Sequence, residues 1–337
     1  MRDYVKTNLL KVSSGVANAI FVTIGIGFLF GTLGDMLGLS ILVTIGGIAR
    51  VLLAPALGAG IAYNLKANTL TLFSAMISST IGGGAVEITE AGFTLVGGDP
   101  IGALIAGTIA TWVGKKVTNT SPLDMMAIPT LSLLAGGLAG VGLAQIITPI
   151  LLSVSEMISA AVAGSPVIGS SVMAALFGLF LMSPLSSAAL SIALAMSPMV
   201  NGAMLIGTTA QYFSFSILSY KENDLGGYVA QGLCTPKVQL PNIINNPMIL
   251  VGPTIASAVS APIATMVFGF ETIPEMGGVG FAAGVAPLWV INNSGLRGLS
   301  VYLFCGAILP IIITYTINKV LYASKVIKTG DMAITVS

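Results

Sequence analysis

Apolar runs of helix length follow one another along almost the whole chain, and the short breaks between them carry most of the charge. A membrane crossing needs roughly 20 apolar residues, so the pattern reads as a series of spans. They fall at 14–37, 41–63, 70–81, 100–113, 126–154, 167–182, 184–198, 201–220, 248–270 and 299–323. The third and fourth are short and are expected to borrow residues from the Gly-rich stretch 82–99 between them. Pro166, Pro184 and Pro198 punctuate 158–220, which fits three spans or a re-entrant hairpin plus one span. The segment 271–297, with Pro274, Pro287 and many glycines, is apolar but short and reads as a re-entrant loop. The expected fold is an all-α polytopic membrane protein of about ten transmembrane helices with one or two re-entrant hairpins.

Composition strengthens that reading. Of 337 residues, 55% are hydrophobic and 7% charged, against roughly 25% charged in a soluble domain. The 13 basic and 12 acidic residues cannot cover a soluble surface of this size, so the outside faces lipid. A net charge of +1 leaves no electrostatic footprint for nucleic acid. The start of the chain is only superficially like a signal peptide, because its apolar run is too long, and it reads as a retained first span. Gly27/Gly31 and Gly136/Gly140 have the spacing that lets helices approach closely, within the chain or across a dimer seam.

Charge placement orients the spans. Arg2, Lys6 and Lys11 put the first terminus in the cytoplasm. Alternation then puts Lys66, Lys115, Lys116, Lys221, Lys237, Lys325 and Lys328 inside, and Glu87, Glu90, Asp99, Glu271 and Glu275 outside. Both termini are thus expected to be cytoplasmic, with eight spans giving the same orientation as ten. The expected organisation is a scaffold half, 1–155, and a substrate-binding half, 156–337.

Chemistry is limited by what is missing. There is no histidine, which removes a His-ligated metal, a His base and a phosphohistidine. Cys234 and Cys305 stand alone with no zinc spacing and read as packing residues. No metal or cofactor is expected. The densest cluster of polar and helix-breaking residues is Cys234-Thr235-Pro236-Lys237-Val238-Gln239-Leu240-Pro241-Asn242-Ile243-Ile244-Asn245-Asn246-Pro247. Proline removes backbone donors, and irregular backbone at membrane depth survives only inside protein or beside a watery cavity. Asn and Gln amides both donate and accept, as recognition of a neutral polyhydroxyl solute requires. A cytoplasmic loop capping the next helix would look the same.

The run Thr-Pro-(x4)-Pro-(x4)-Asn-Pro-(x5)-Pro, from Thr235 to Pro253, resembles the hairpin of the membrane-embedded enzyme IIC subunits of the bacterial phosphotransferase system. The Gly-rich segment from Gly277 to Asn293 also fits, and the overall content is most similar to the group that includes the perfringolysin regulators. The resemblance extends over the chain, but its specific motif covers only the hairpin. It implies a homodimer in the bacterial cell membrane, with re-entrant hairpins and a sugar-holding half that moves. It also implies a separate cytoplasmic phosphotransferase partner that phosphorylates the sugar. The sugar carriers have Glu-Pro where this chain has Thr235-Pro236. Threonine is no base at neutral pH and no histidine replaces it, so the chain carries residues for binding but none for coupled phosphoryl transfer.

The residues expected to bind solute are Thr235, Gln239, Asn242, Asn245 and Asn246, joined by Arg50, Gln211, Asn292 and Asn293. Arg50 lies in mid-span, where a charge either pairs with an acid or meets a ligand. Gln211 either lines a cavity or bonds between helices. Asn292 and Asn293, with Arg297, either cap a loop or face the solute. Glu87 and Glu90 would lie one helical turn apart, as a solvated loop or a cation site. Asp124 is expected to cap the helix that follows. The leading functional reading is a carrier for a sugar-like or small polar solute working by alternating access. The alternative is a membrane sensor that keeps the carrier fold but signals. A membrane enzyme finds no nucleophile–base pair to support it.

Overall fold

The computed structural model describes residues 2–89, 92–183 and 186–334. The chain forms two compact units, Met1–Val154 and Ser155–Ser337. The boundary falls inside one long helix.

In the first unit, α1 (Arg2–Ile20) continues through a π-helical turn, Phe21–Gly25, into α2 (Ile26–Leu37), ended by Gly38 at φ 67°. α3 (Ser40–Val51) and α4 (Leu53–Asn64) are bent by 60° at Leu52. α5 (Thr69–Gly82) starts where the Asn68 side chain accepts from Thr71 N at 2.8 Å. A hairpin of β1 (Val86–Thr89) and β2 (Gly92–Leu95) follows. α6 (Pro100–Val117) begins with Asp99 accepting from Ile101 N and Gly102 N, with Pro100 in the first turn. α7 (Asp124–Gly164) holds Pro129 and Pro149 within it.

Small residues let these helices touch. A Cβ at Gly15 would sit 2.2 Å from the Gly60 carbonyl oxygen, so α1 and α4 cross backbone to backbone. A Cβ on Gly46 would meet Gly27 O at 2.3 Å, and Gly136 and Gly140 face Ala106. Both glycine pairs read from the sequence thus pack helices within the chain. The outside is apolar instead: Phe73, Ile77 and Ile81 share one face of α5 and are all exposed. That is the arrangement lipid requires.

In the second unit come α8 (Pro166–Met182), α9 (Ser187–Leu194), α10 (Pro198–Ser219), α11 (Leu225–Val229), α12 (Leu240–Asn245) and α13 (Val251–Pro262). α14 (Pro274–Gly277), α15 (Val285–Leu303) and α16 (Leu309–Ala323) complete it. α10 is buried along nearly its whole length and packs on α8, α13 and α16. Its inner faces carry a polar seam. Gln211 Nε2 donates to Ser257 Oγ (3.2 Å), Thr209 Oγ1 bonds Tyr302 OH (2.9 Å), and Ser214 Oγ bonds Thr314 Oγ1 (2.9 Å).

Four helical stretches among the described residues are long and apolar enough to cross a membrane: Lys11–Leu37, Asp124–Leu143, Pro247–Val267 and Ala282–Ala323. The bent α3–α4 pair would make five. Several expectations need correction. The short third and fourth runs do not extend into 82–99, because β1 and β2 occupy it; α6 instead extends the other way, to Val117. Glu87 pairs with Thr94 in that hairpin, so it is not on a helix; Glu90 lies outside the described residues. Among the described residues, the expected span 184–198 holds one helix of its own, Ser187–Leu194, 8 residues, or about 12 Å of helix, before α10 begins at Pro198. Pro184 lies outside the described residues. In 271–297, helix resumes at Val285 and is broken at Gly295, whose φ of 64° and ψ of −167° no helix accepts.

Candidate functional site

The polar stretch after α10 is a chain of short helices, and its prolines explain why. Pro236 opens a 3-10 turn, Pro236–Gln239; Pro241 lies in the first turn of α12; Pro247 opens another turn, Pro247–Leu250. A residue before proline is pushed toward extended backbone. Thr235 (φ −167°, ψ 132°) and Asn246 (φ −137°, ψ 90°) obey this at the two breaks. Both also cap the turn that follows. Thr235 Oγ1 accepts from Lys237 N (3.3 Å) and Asn246 Oδ1 from Met248 N (3.2 Å).

Between the breaks the amides form a ladder. Gln231 Nε2 donates to Ser219 Oγ (2.7 Å) and to Gly227 O (3.1 Å). Gln239 Nε2 donates to Gln231 Oε1 (2.8 Å), and Asn242 Nδ2 to Gln239 Oε1 (2.8 Å). Gln231 and Gln239 are fully buried. Burial also lowers the Lys237 ammonium to about 8.

The ladder continues onto the far end of the chain. Gln239 Nε2 donates to Met332 O (2.9 Å) and Asn242 Nδ2 to Ala333 O (2.9 Å). Asn246 Nδ2 donates to Val326 O (3.1 Å) and to Asp331 Oδ2 (2.7 Å). From the end of α10, Asn223 Nδ2 donates to Met332 O (2.9 Å), while Asn223 Oδ1 accepts from Ile334 N (2.6 Å). Glu222 Oε2 accepts from Met332 N (2.9 Å), and Glu222 Oε1 from Tyr322 OH (3.1 Å). Ile327 and Met332 are buried beneath, among Met182, Phe215, Ile243 and Ile249.

Of the residues expected to bind solute, Gln239, Asn242 and Asn246 are therefore assembled in one network, and Thr235 lies beside it. Asn245 is exposed. Gln211 lies on the seam against Ser257, and a Cβ at Gly178 would meet its Nε2 at 2.6 Å. Asn292 and Asn293 are exposed on α15 just before the Gly295 break, with Asn293 Nδ2 donating to Trp289 O (2.8 Å). Arg50 belongs to the first unit, in the last turn of α3, with its guanidinium 4.6 Å from the Phe28 ring centroid. Among the described residues no carboxylate pairs with it. Asp124 is the first residue of α7, and its carboxylate accepts from Asn119 N (2.5 Å) and Ser121 N (3.1 Å), holding the preceding turn rather than the helix amides. Cys305 is buried as a packing residue, but Cys234 is exposed, because it ends a π-helical turn beside the break at Thr235. Sequence reasoning missed Gln231, Glu222, Asn223 and the segment after α16. Glu222 and Asn223 bond the segment after α16 over separations of about a hundred residues, which local pattern does not encode, whereas Gln231 bonds within 12 residues and lies just before the stretch singled out.

Apolar helical stretches of membrane length, exposed apolar faces and an internal polar seam define an α-helical multi-pass membrane protein. The chain matches the family described as "Phosphotransferase system, EIIC" over residues 10–334 and belongs to it. It is a membrane component of sugar transport in that system. No curated protein sequence matches it.

Proposed function

We propose that the chain is a multi-pass carrier that binds a sugar-like or small polar solute and translocates it by alternating access. The observation that carries this is the amide cluster Gln239, Asn242 and Asn246, held on proline-broken backbone within a chain of the EIIC family. Asn245 and Thr235 flank the same site. Gln211, with Ser257, is a second polar position on the seam that the solute would pass. Arg50, Asn292 and Asn293 are assigned to the solute on the sequence reading alone: Arg50 stacks on Phe28, and the two asparagines are exposed as Asn245 is.

The architecture in this reading has ten crossings, both termini in the cytoplasm and a homodimeric assembly. α9, about half a crossing long, meets the single turn α14 and its flank, with Ser187 Oγ donating to Gly278 O (2.8 Å) and Ser191 Oγ to Pro274 O (2.6 Å). In a ten-crossing reading these are parts of discontinuous crossings, the kind of broken helix that lines a solute path. Thr235 stands where the resemblance puts the hairpin glutamate, so the chain offers no base for phosphoryl transfer, and phosphorylation of the solute would fall to a separate cytoplasmic partner. The sensor alternative gains nothing from the family match. The test is a thermal-shift screen of the purified protein against hexoses, hexitols and sugar phosphates, followed by vesicle uptake of any hit. A ligand of the folded state raises the melting temperature by mass action. Saturable uptake supports the carrier, binding without flux supports the sensor, and silence across all sugars sinks the solute assignment.

A further inference from the structure

We propose that the segment 326–334 is an intramolecular ligand of the hairpin, and that it must leave before a solute can engage Gln239, Asn242 and Asn246. This rests on the hairpin being the solute site. A primary amide has two N–H donors. Those of Gln239 go to Gln231 Oε1 and Met332 O, those of Asn242 to Gln239 Oε1 and Ala333 O, and those of Asn246 to Val326 O and Asp331 Oδ2. With the strap seated, all six are spent and none can meet a solute hydroxyl. Four of them go to the strap itself.

The way it is held is that of a peptide in a binding groove, where side chains read backbone groups. Gln239, Asn242, Asn246 and Asn223 donate to its carbonyls, while Glu222 and Asn223 accept from its amides. Only Ile327 and Met332 anchor it apolarly. It leaves α16 through Lys325 at φ 58° and turns again at Gly330, φ 100°, so two left-handed residues set its path apart from the helix. A sugar hydroxyl oxygen accepts from an amide N–H just as a peptide carbonyl does, so strap and solute are chemical equivalents at the three amides.

The test is hydrogen–deuterium exchange on the full chain in detergent. The amides of Met332 and Ile334 are expected to exchange by local opening, at least roughly tenfold faster than those of α10. Glu222→Ala, which removes one anchor, should raise their exchange by roughly another tenfold and leave α10 unchanged. A disulfide between Asn223→Cys and Ile334→Cys, in a Cys234→Ser background, should suppress the opening and be reversed by reductant. Exchange of 326–334 in step with α10 and α13 would mean a fixed part of the core and overturn the strap, whatever the sugars do. With glucose, mannitol and sorbitol as probes, a thermal shift that appears only after the cross-link is reduced supports the proposal. An equal shift with the cross-link intact overturns it. Opening without response to any of the three sinks the solute reading of the hairpin, and with it the competition proposed here.

Discussion

Lys237 shows how much a single residue's surroundings decide. Its burial holds the ammonium at about 8 against an ordinary 10.5. Between those values the unfolded chain keeps a proton that the folded chain has lost. Stability therefore rises as pH climbs through that window and is flat below it. Melting temperatures at about pH 7 and pH 10 should show the rise, and Lys237→Met should remove it. A flat wild-type profile would mean that the folded state hydrates this ammonium as well as the unfolded one does. Tyr302 makes a different point. Its hydroxyl, fully buried, is the hydrogen-bond partner of Thr209 and also reaches Gly280 O at 3.3 Å. Tyr302→Phe leaves the buried Thr209 hydroxyl unpaired and should cost about 1–3 kcal/mol. Urea or thermal unfolding reads that loss, and the double variant with Thr209→Val should recover part of it.

At the scale of elements, close helix crossings depend on glycine more than on large side chains. A Cβ at Gly60 would lie 2.4 Å from Gly15 O, on backbone that cannot rotate away. Gly60→Ala is expected to cost about 1–3 kcal/mol by prising α1 from α4. Gly142→Ala is the control, since a Cβ there meets nothing within 4 Å, and it should be neutral or slightly stabilising. Equal melting temperatures for the two variants would refute the crossing. The start of α6 at Pro100 was legible from the sequence, and α10, expected from 201, begins three residues earlier at Pro198. The β1–β2 pair was not, because strands of four residues leave little period to read. The hairpin amides were recognisable by type, but their partners were not. Gln239 and Asn246 meet residues from the far end of the chain, about 90 positions away.

At the scale of the whole molecule the open quantity is the number of crossings, and α9 decides it. The bonds from Glu222 and Asn223 to Met332 and Ile334 put the end of α10 and the end of α16 on one side of the second unit. An even number of crossings must therefore separate them, as 247–267 and the stretch ending in α16 would supply if each crosses once. In the ten-crossing reading proposed above, α7, α8 and α10 supply three passages between Lys116 and Lys221, and α9 has only 8 helical residues. If α9 dips in and returns, Lys116 and Lys221 lie on opposite faces of the membrane. If α9 and its extended flanks complete a broken crossing, they lie on the same face. Basic residues gather at both positions, Lys115 and Lys116 at one and Lys221 at the other, and the cytoplasmic preference of lysine favours the same face. Single cysteines at Lys116 and Lys221, in a chain with Cys234→Ser, can be labelled from outside intact cells by an impermeant maleimide. We expect neither to react until the membrane is permeabilised. Labelling of Lys221→Cys alone would make α9 re-entrant, reduce the crossings by one, and move the hairpin with its strap to the outer face, where a cytoplasmic phosphoryl donor could not reach a solute held there.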